Sequence, residues 1–202
     1  MFIRTLRASV PALAGVAALL SSSHALAAAQ KYVFDKNHTN IFWHASHFGF
    51  SKPSGKFTEF DGSVTLDKDK PEHSSVEISI DTHSMLTGIP KFDEHLRSAD
   101  FLDSEKYPKA TFKSTRVDVK GDGKATVYGD FTLHGVTKEI PLDVTLNKAG
   151  VNPFTKQETA GFSARGTIAR SAYGVNYGVP GISDEVDITI EAEAIVAEDK
   201  GK

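Results

Sequence analysis

Residues 124–146 read KATVYGDFTLHGVTKEIPLDVTL, and their rhythm decides the fold. Val127, Gly129, Phe131 and Leu133 alternate with Tyr128, Asp130, Thr132 and His134. After a tight turn at His134-Gly135-Val136, the alternation resumes with Ile140, Leu142, Val144 and Leu146. Alternation at period two sends one face of a strand into a core and the other into water. A glycine-containing short turn between two such runs makes an antiparallel hairpin.

The same pattern extends outward in both directions. Ile41, Trp43, Ala45 and His47 share one face of an early strand. Val76, Ile78 and Ile80 alternate with Glu77, Ser79 and Asp81, and Phe112 opens a run reaching Val119. Phe162, Ala164 and Ile168 follow the rule, as do Val186, Ile188 and Ile190. Eight runs result, near 39–48, 56–67, 74–82, 109–119, 124–134, 137–147, 158–170 and 184–197. The expected class is all-β, with eight antiparallel strands. Eight strands close into a barrel of ligand size, and closure removes the sheet edges that invite aggregation. A two-sheet sandwich fits the same periodicity.

One segment breaks the pattern. Lys91–Phe112, KFDEHLRSADFLDSEKYPKATF, reads as a short helix, an irregular turn through Tyr107-Pro108 and a return to strand. The helical insertion is expected near 91–104. Phe92 and Leu96 share a face, Asp93 and Glu94 fall in the first turn and Arg97 in the last, which suits the helix dipole. Two readings stand: a cap that plugs one barrel end, or a lid over an enclosed ligand.

Residues 1–27 read as a signal peptide, with Arg4 and Arg7 before an apolar run over Val10–Leu20 and Ala25-Leu26-Ala27 as the processing site. The run is shorter than the roughly 20 residues of a membrane span. The expected mature chain, 28–202, is a single domain with a net charge of −5 once both signal arginines are gone. A mildly acidic chain without a basic run is a poor nucleic-acid binder. With no cysteine there is no disulfide framework, thiol nucleophile or cysteine metal site. An exported chain without disulfides fits a bacterial periplasm.

Catalytic signatures are lacking. There is no Gly-x-Ser-x-Gly elbow, Gly-rich phosphate loop or His-Glu-x-x-His helix. His44 and His47 are three apart, so on a strand they face opposite ways and cannot share a metal unless the strand is bulged. Asp93-Glu94-His95 has the residue types of an acid–base group, but a solvated helix face with its own ion pairs is the favoured reading. Arg165, Arg170 and Tyr173 lead into a Gly-rich loop, Gly174–Gly181, suited to the rim of a barrel. Arginine there can pair bidentately with a phosphate or carboxylate head group. The thirteen Phe, five Tyr and one Trp either fill a sealed core or line an apolar tunnel.

Several blocks resemble the YceI-like family of periplasmic polyisoprenoid-binding proteins. They are HTNIFWHASHFG (38–49), GKFTEFDG (55–62), DEHLRSADFLDSEKYPKATFKS (93–114), GDFTLHGVTK (129–138), and Arg170–Gly174 with Asp184-Glu185-Val186. The resemblance implies a lipocalin-like barrel whose tunnel holds an isoprenoid lipid, a polyprenyl phosphate or an isoprenoid quinone, with no other cofactor and no catalysis. It implies tunnel contacts from Ile41, Trp43, Phe112, Phe131 and Phe162, with His47 as a polar contact inside. Arg97, Arg165 and Arg170, with Tyr173, are the expected head-group end. Trp43 stands where phenylalanine is usual and Ala45 where a larger aliphatic is common, an exchange that reshapes the tunnel near the first strand. A homodimer and a link to stress responses also follow from the resemblance. Rival readings are a stress-protective module without a defined lipid, and an enzyme acting on an amphiphile through Asp93, Glu94 and His95.

Overall fold

The described residues form eleven strands where eight were expected, and three breaks between strands shape one end of the barrel. The first break separates β1 (Gln30–Phe34), which was not expected, from β2 (Asn40–His47), the expected 39–48 run. The second splits the expected 56–67 run into β3 (Ser54–Phe57) and β4 (Phe60–Leu66). The third separates β5 (Ser75–Asp81), the expected 74–82 run, from β6 (Met85–Leu86), which was not expected. The other five are continuous: β7 (Lys109–Gly121), β8 (Lys124–Leu133), β9 (Val136–Val151), β10 (Glu158–Ala169) and β11 (Ile182–Val196). This computed structural model describes residues 29–197; the expected signal peptide, 1–27, lies outside them.

Closure is read from β1. Tyr32 lies opposite Val64 of β4 on one side and Val196 of β11 on the other. The ring therefore runs β1-β4-β5-β7-β8-β9-β10-β11 and returns to β1, every pairing antiparallel. A sandwich is excluded. Beyond the breaks, β2 continues along β11, β3 along β2 and β6 along β3. Among the described residues no ladder joins β6 to β7. That gap is filled by α1 (Pro90–Arg97) and the chain leading to β7, which Thr82 holds by donating its N–H to Pro108 O at 3.0 Å and its hydroxyl to Tyr107 O at 2.8 Å.

The breaks have local causes. At the first, Asp35 Oδ1 accepts the Asn37 N–H at 2.9 Å, an Asx turn that takes the chain out of the ladder. At the third, Asp81 Oδ1 accepts the His83 N–H at 2.9 Å in the same way. The β1 segment was missed from sequence because its five residues, QKYVF, are too few to show a period. The register of β9 against β10 shifts between Gly161 and Phe162, which breaks the alternation and hides the extension of β9 to Val151.

Inward faces make the core. Tyr32, Val64, Leu66, Ala160 and Ala194 pack at one end, with Met85, Leu96, Phe101 and Val175 under α1 at the other. Between them Gly129 lets the Phe112 ring cross the strand: a Cβ there would lie 2.4 Å from Phe112 Cζ.

Candidate ligand site

The inward faces do not meet in the middle. They enclose a cavity of about 1230 Å³ that runs the length of the barrel. At the α1 end it is bordered by Trp43, Phe92, His95 and Tyr177, and at the other it reaches Leu66, Val119 and Leu146. Charged side chains touch it only near its ends, Asp67, Lys68, Asp122 and Lys124 at the far rim and Arg170 near the mouth. A native interior is normally packed to crystal density, so so large an apolar void is a site for an apolar occupant.

Arg170 is the unusual residue. It opens a 3-10 turn, Arg170–Tyr173, that follows β10, and is only 5% exposed. Its Nε donates to Ser183 O, one terminal nitrogen to Val175 O and the other to Ile182 O, each at 2.9 Å. The guanidinium thus clamps the 174–182 loop over the mouth. Among the described residues no carboxylate lies within salt-bridge distance of it. Burial pulls its pKa below the ordinary arginine value, against a smaller opposing pull from Asp184. Arginine has five N–H donors and three are committed, so donors remain beside the cavity. Asp184 is held by Ser171, whose N–H and hydroxyl both donate to it at 2.7 Å. Those bonds, and then Arg170, keep its carboxyl below the usual range despite its burial.

Next to Arg170 lies an aromatic cluster. His95, Phe101 and Tyr177 stand with ring centroids 5.1 Å apart in each pair, and the Arg170 guanidinium lies 5.9 Å from the centre of Phe101. His95 Nε2 pairs with Asp100 Oδ2 at 3.0 Å. Trp43 meets the edge of Phe92 on α1, with centroids 6.5 Å apart.

The sequence-predicted residues separate into groups. Ile41, Trp43, Phe112, Phe131 and Phe162 all line the cavity. His47 has the expected face but a different depth: β2 ends there, so it is exposed at the rim, its ring against Phe48 at 4.8 Å. Arg165 points outward, as its alternation with buried Ala164 requires. Arg97 does not border the cavity; it donates to Met85 O at 3.0 Å and fixes α1 to β6. Tyr173 is 2% exposed, packed beneath the turn against Phe131 at 5.5 Å, not draped over the mouth. Burial raises its phenol pKa. Of the three arginines only Arg170 reaches the tunnel.

The acidic group on α1 is not a solvated face throughout. Asp93 is 4% exposed, and its Oδ1 accepts from Thr87 N at 2.6 Å and Thr87 Oγ1 at 2.5 Å. Burial pushes its carboxyl up, but these bonds prevail and its pKa ends below normal. Glu94 is exposed and His95 faces the mouth. Three consecutive helical residues point in three directions, so they form no acid–base group. Among the described residues, the grouping with metal-ligand chemistry is Asp35, His38 and Glu193. It lies outside the tunnel, and Asp35 Oδ2 is already taken by His38 Nδ1 at 2.7 Å. His95 and Phe101, which complete the mouth, carry no period-two signal; both lie in the insertion.

A closed eight-stranded antiparallel barrel around an apolar tunnel, with one helix at its mouth, is a lipocalin-like architecture. The YceI-like domain model matches residues 32–194, and the chain belongs to that family. It is 40% identical over 190 residues to a UPF0312 protein of Pseudomonas putida, covering 94% of this chain and 98% of that one. A UPF0312 protein of Vibrio cholerae is 39% identical over 183 residues, covering 90% and 95%. Among solved structures, the Campylobacter jejuni YceI protein superposes with a TM-score of 0.70 at 28% identity, over 76% of this chain and 90% of that one. A polyisoprenoid binding domain from Saccharophagus degradans, implicated in plant cell wall breakdown, shares the fold: TM-score 0.62, 14% identity, coverage 84% and 99%.

Proposed function

We propose that this protein is a periplasmic binding or carrier protein for an isoprenoid lipid, a polyprenyl phosphate or an isoprenoid quinone. The observation that carries the reading is the pairing of a continuous apolar tunnel of about 1230 Å³ with one buried arginine at its mouth. The tail lies in the tunnel. Each CH₂ taken from water contributes about 0.8 kcal/mol, so a long tail gains far more there than any polar contact supplies. The head group sits against Arg170, whose remaining N–H donors suit a phosphate or quinone oxygen. His95, Phe101 and Tyr177 form the walls around it. The shared fold of the Saccharophagus degradans polyisoprenoid binding domain supports this reading. So does the expected signal peptide, for the periplasmic location. The dispersal of Asp93, Glu94 and His95 favours binding over catalysis.

The test is native mass spectrometry of protein taken from the periplasm, followed by organic extraction of whatever dissociates. A bound species with isoprene-spaced fragments is expected. An empty protein that also refuses quinones and polyprenyl phosphates on titration removes the reading.

A further inference from the structure

The rim of the tunnel carries aromatic side chains that its turn chemistry does not select. The β2–β3 connection is a tight turn in which Phe50 N–H donates to His47 O at 3.0 Å. Its two central residues, Phe48 and Gly49, both have positive φ, 50° and 74°. Such a turn favours Asn-Gly, and a bulky aromatic in the left-handed region costs on the order of 1 kcal/mol or more. Here the first central residue is phenylalanine, 59% exposed, and the next residue but one, Phe50, is 92% exposed. The loop is braced and does not dangle. Phe48 N–H donates to Gly181 O at 2.7 Å, and the Phe48 ring covers Gly181 so closely that a Cβ there would lie 2.3 Å away. Gly181 belongs to the loop that Arg170 clamps, and that loop adds Tyr177, 46% exposed, and Val179, 38% exposed.

Two features say what covers this surface. The first is continuity: Phe48 and Tyr177 are both exposed and both line the tunnel, so the apolar rim runs without interruption into the apolar bore. The second is charge. The chain has 26 acidic residues, yet none falls in 36–58 or 159–183, the two stretches that supply the rim loops. Lys52 and Lys56 lie in the first stretch and Arg170 in the second. The carboxylates beside these loops are paired, Asp187 with Lys52 and Asp100 with His95. Loops of aromatic rings with no acidic side chain of their own suit the interface of an anionic bilayer, where aromatic side chains settle at head-group level and acidic ones are repelled.

We propose that the Phe48-Phe50 turn and the Tyr177–Val179 loop form a docking surface for an anionic lipid bilayer, seating the tunnel mouth on the membrane. This rests on the reading of the tunnel as a lipid site, since docking there lets a tail pass from bilayer to bore without crossing water.

The experiment is flotation of the mature chain with vesicles of phosphatidylethanolamine and phosphatidylglycerol. In parallel, binding of farnesyl phosphate in vesicle-free buffer is read by Trp43 fluorescence. Wild type floats with the vesicles. Phe50→Ser weakens vesicle partition roughly tenfold, the loss of one inserted phenyl ring, while farnesyl phosphate binding stays unchanged. Phe154→Ser, also 92% exposed but at the opposite end and off the tunnel, leaves flotation unchanged. The proposal is overturned if wild type does not float, if Phe50→Ser floats like wild type, or if Phe154→Ser loses as much. It is also overturned if Phe50→Ser merely dissolves a dimer of this chain without changing flotation. Farnesyl phosphate binding without flotation overturns the docking surface alone. Flotation that depends on Phe50, without farnesyl phosphate binding, supports the docking surface and counts against the carrier reading.

Discussion

Replacing Arg170 with methionine tests whether the guanidinium is the clamp that shapes the tunnel mouth. Three carbonyls lose their donor. That of Val175 is buried, so stripping it costs about 2–3 kcal/mol; those of Ile182 and Ser183 are partly reached by water and cost about 1 kcal/mol each. Removing a buried charge returns part of this, about 1–2 kcal/mol, consistent with burial holding the Arg170 pKa down. The net loss is roughly 3 kcal/mol, about a hundredfold in the unfolding equilibrium. Arg170→Lys keeps a charge but lacks the planar fork, and is expected to lose about half as much. The assay is urea unfolding followed by the single tryptophan, Trp43, with amide hydrogen exchange of Val175–Ser183 to separate local opening from global unfolding. Arg165→Ala is the control, since that side chain is on the outer face. If Arg170→Met loses less than about 0.5 kcal/mol and the loop exchanges as in wild type, the clamp argument is wrong.

Three further outcomes follow from the same geometry. Ala164→Phe puts a ring into the bore from β10; isoprenoid binding is expected to fall at least tenfold while the urea midpoint holds or rises, because the ring fills void and displaces nothing. A drop in stability with binding retained would contradict an open bore at that level. Gly129→Ala is expected to cost about 2 kcal/mol or more by driving a methyl against the Phe112 ring and Lys113 O, 2.4 and 2.7 Å from the ideal Cβ; an unchanged denaturation curve refutes that packing. The pH dependence comes from Asp184, held low by Ser171, and Asp93, held low by Thr87 against its burial. Because the folded pKa values lie below the unfolded one, their stabilisation is complete above about pH 4 and is lost as pH falls through the lowered folded values. Urea midpoints across an acid series should therefore decline less in Asp184→Asn than in wild type, and parallel declines would remove Asp184 as a contributor.

Much of the barrel is legible in the linear pattern because the pleat is a local property. Alternation at Ile140, Leu142 and Leu146 places those side chains inside, and the same parity puts Ala164 in and Arg165 out. It fails where the count is short or the register slips, at Gln30–Phe34 and at the bulge between Gly161 and Phe162. The mouth was harder to read. Arg97, Arg165 and Arg170 look alike in sequence, yet one braces a helix, one faces out, and one is buried beside the tunnel. Asp93 looked like part of a charged face, and only Thr87, brought beneath the helix start, explains its burial.

The sequence by itself determined the eight-strand all-β class, the inward and outward faces, the helical insertion and the family. Each depends on neighbours in the chain or on a run of residues. Tertiary structure alone decided that the sheet closes, through Tyr32 pairing on both sides, and that the inward aromatics line a bore and do not fill it. A cavity is a difference between the space a closed ring encloses and the volume of the side chains sent into it. That difference is summed over strands far apart in sequence, so no local period carries it.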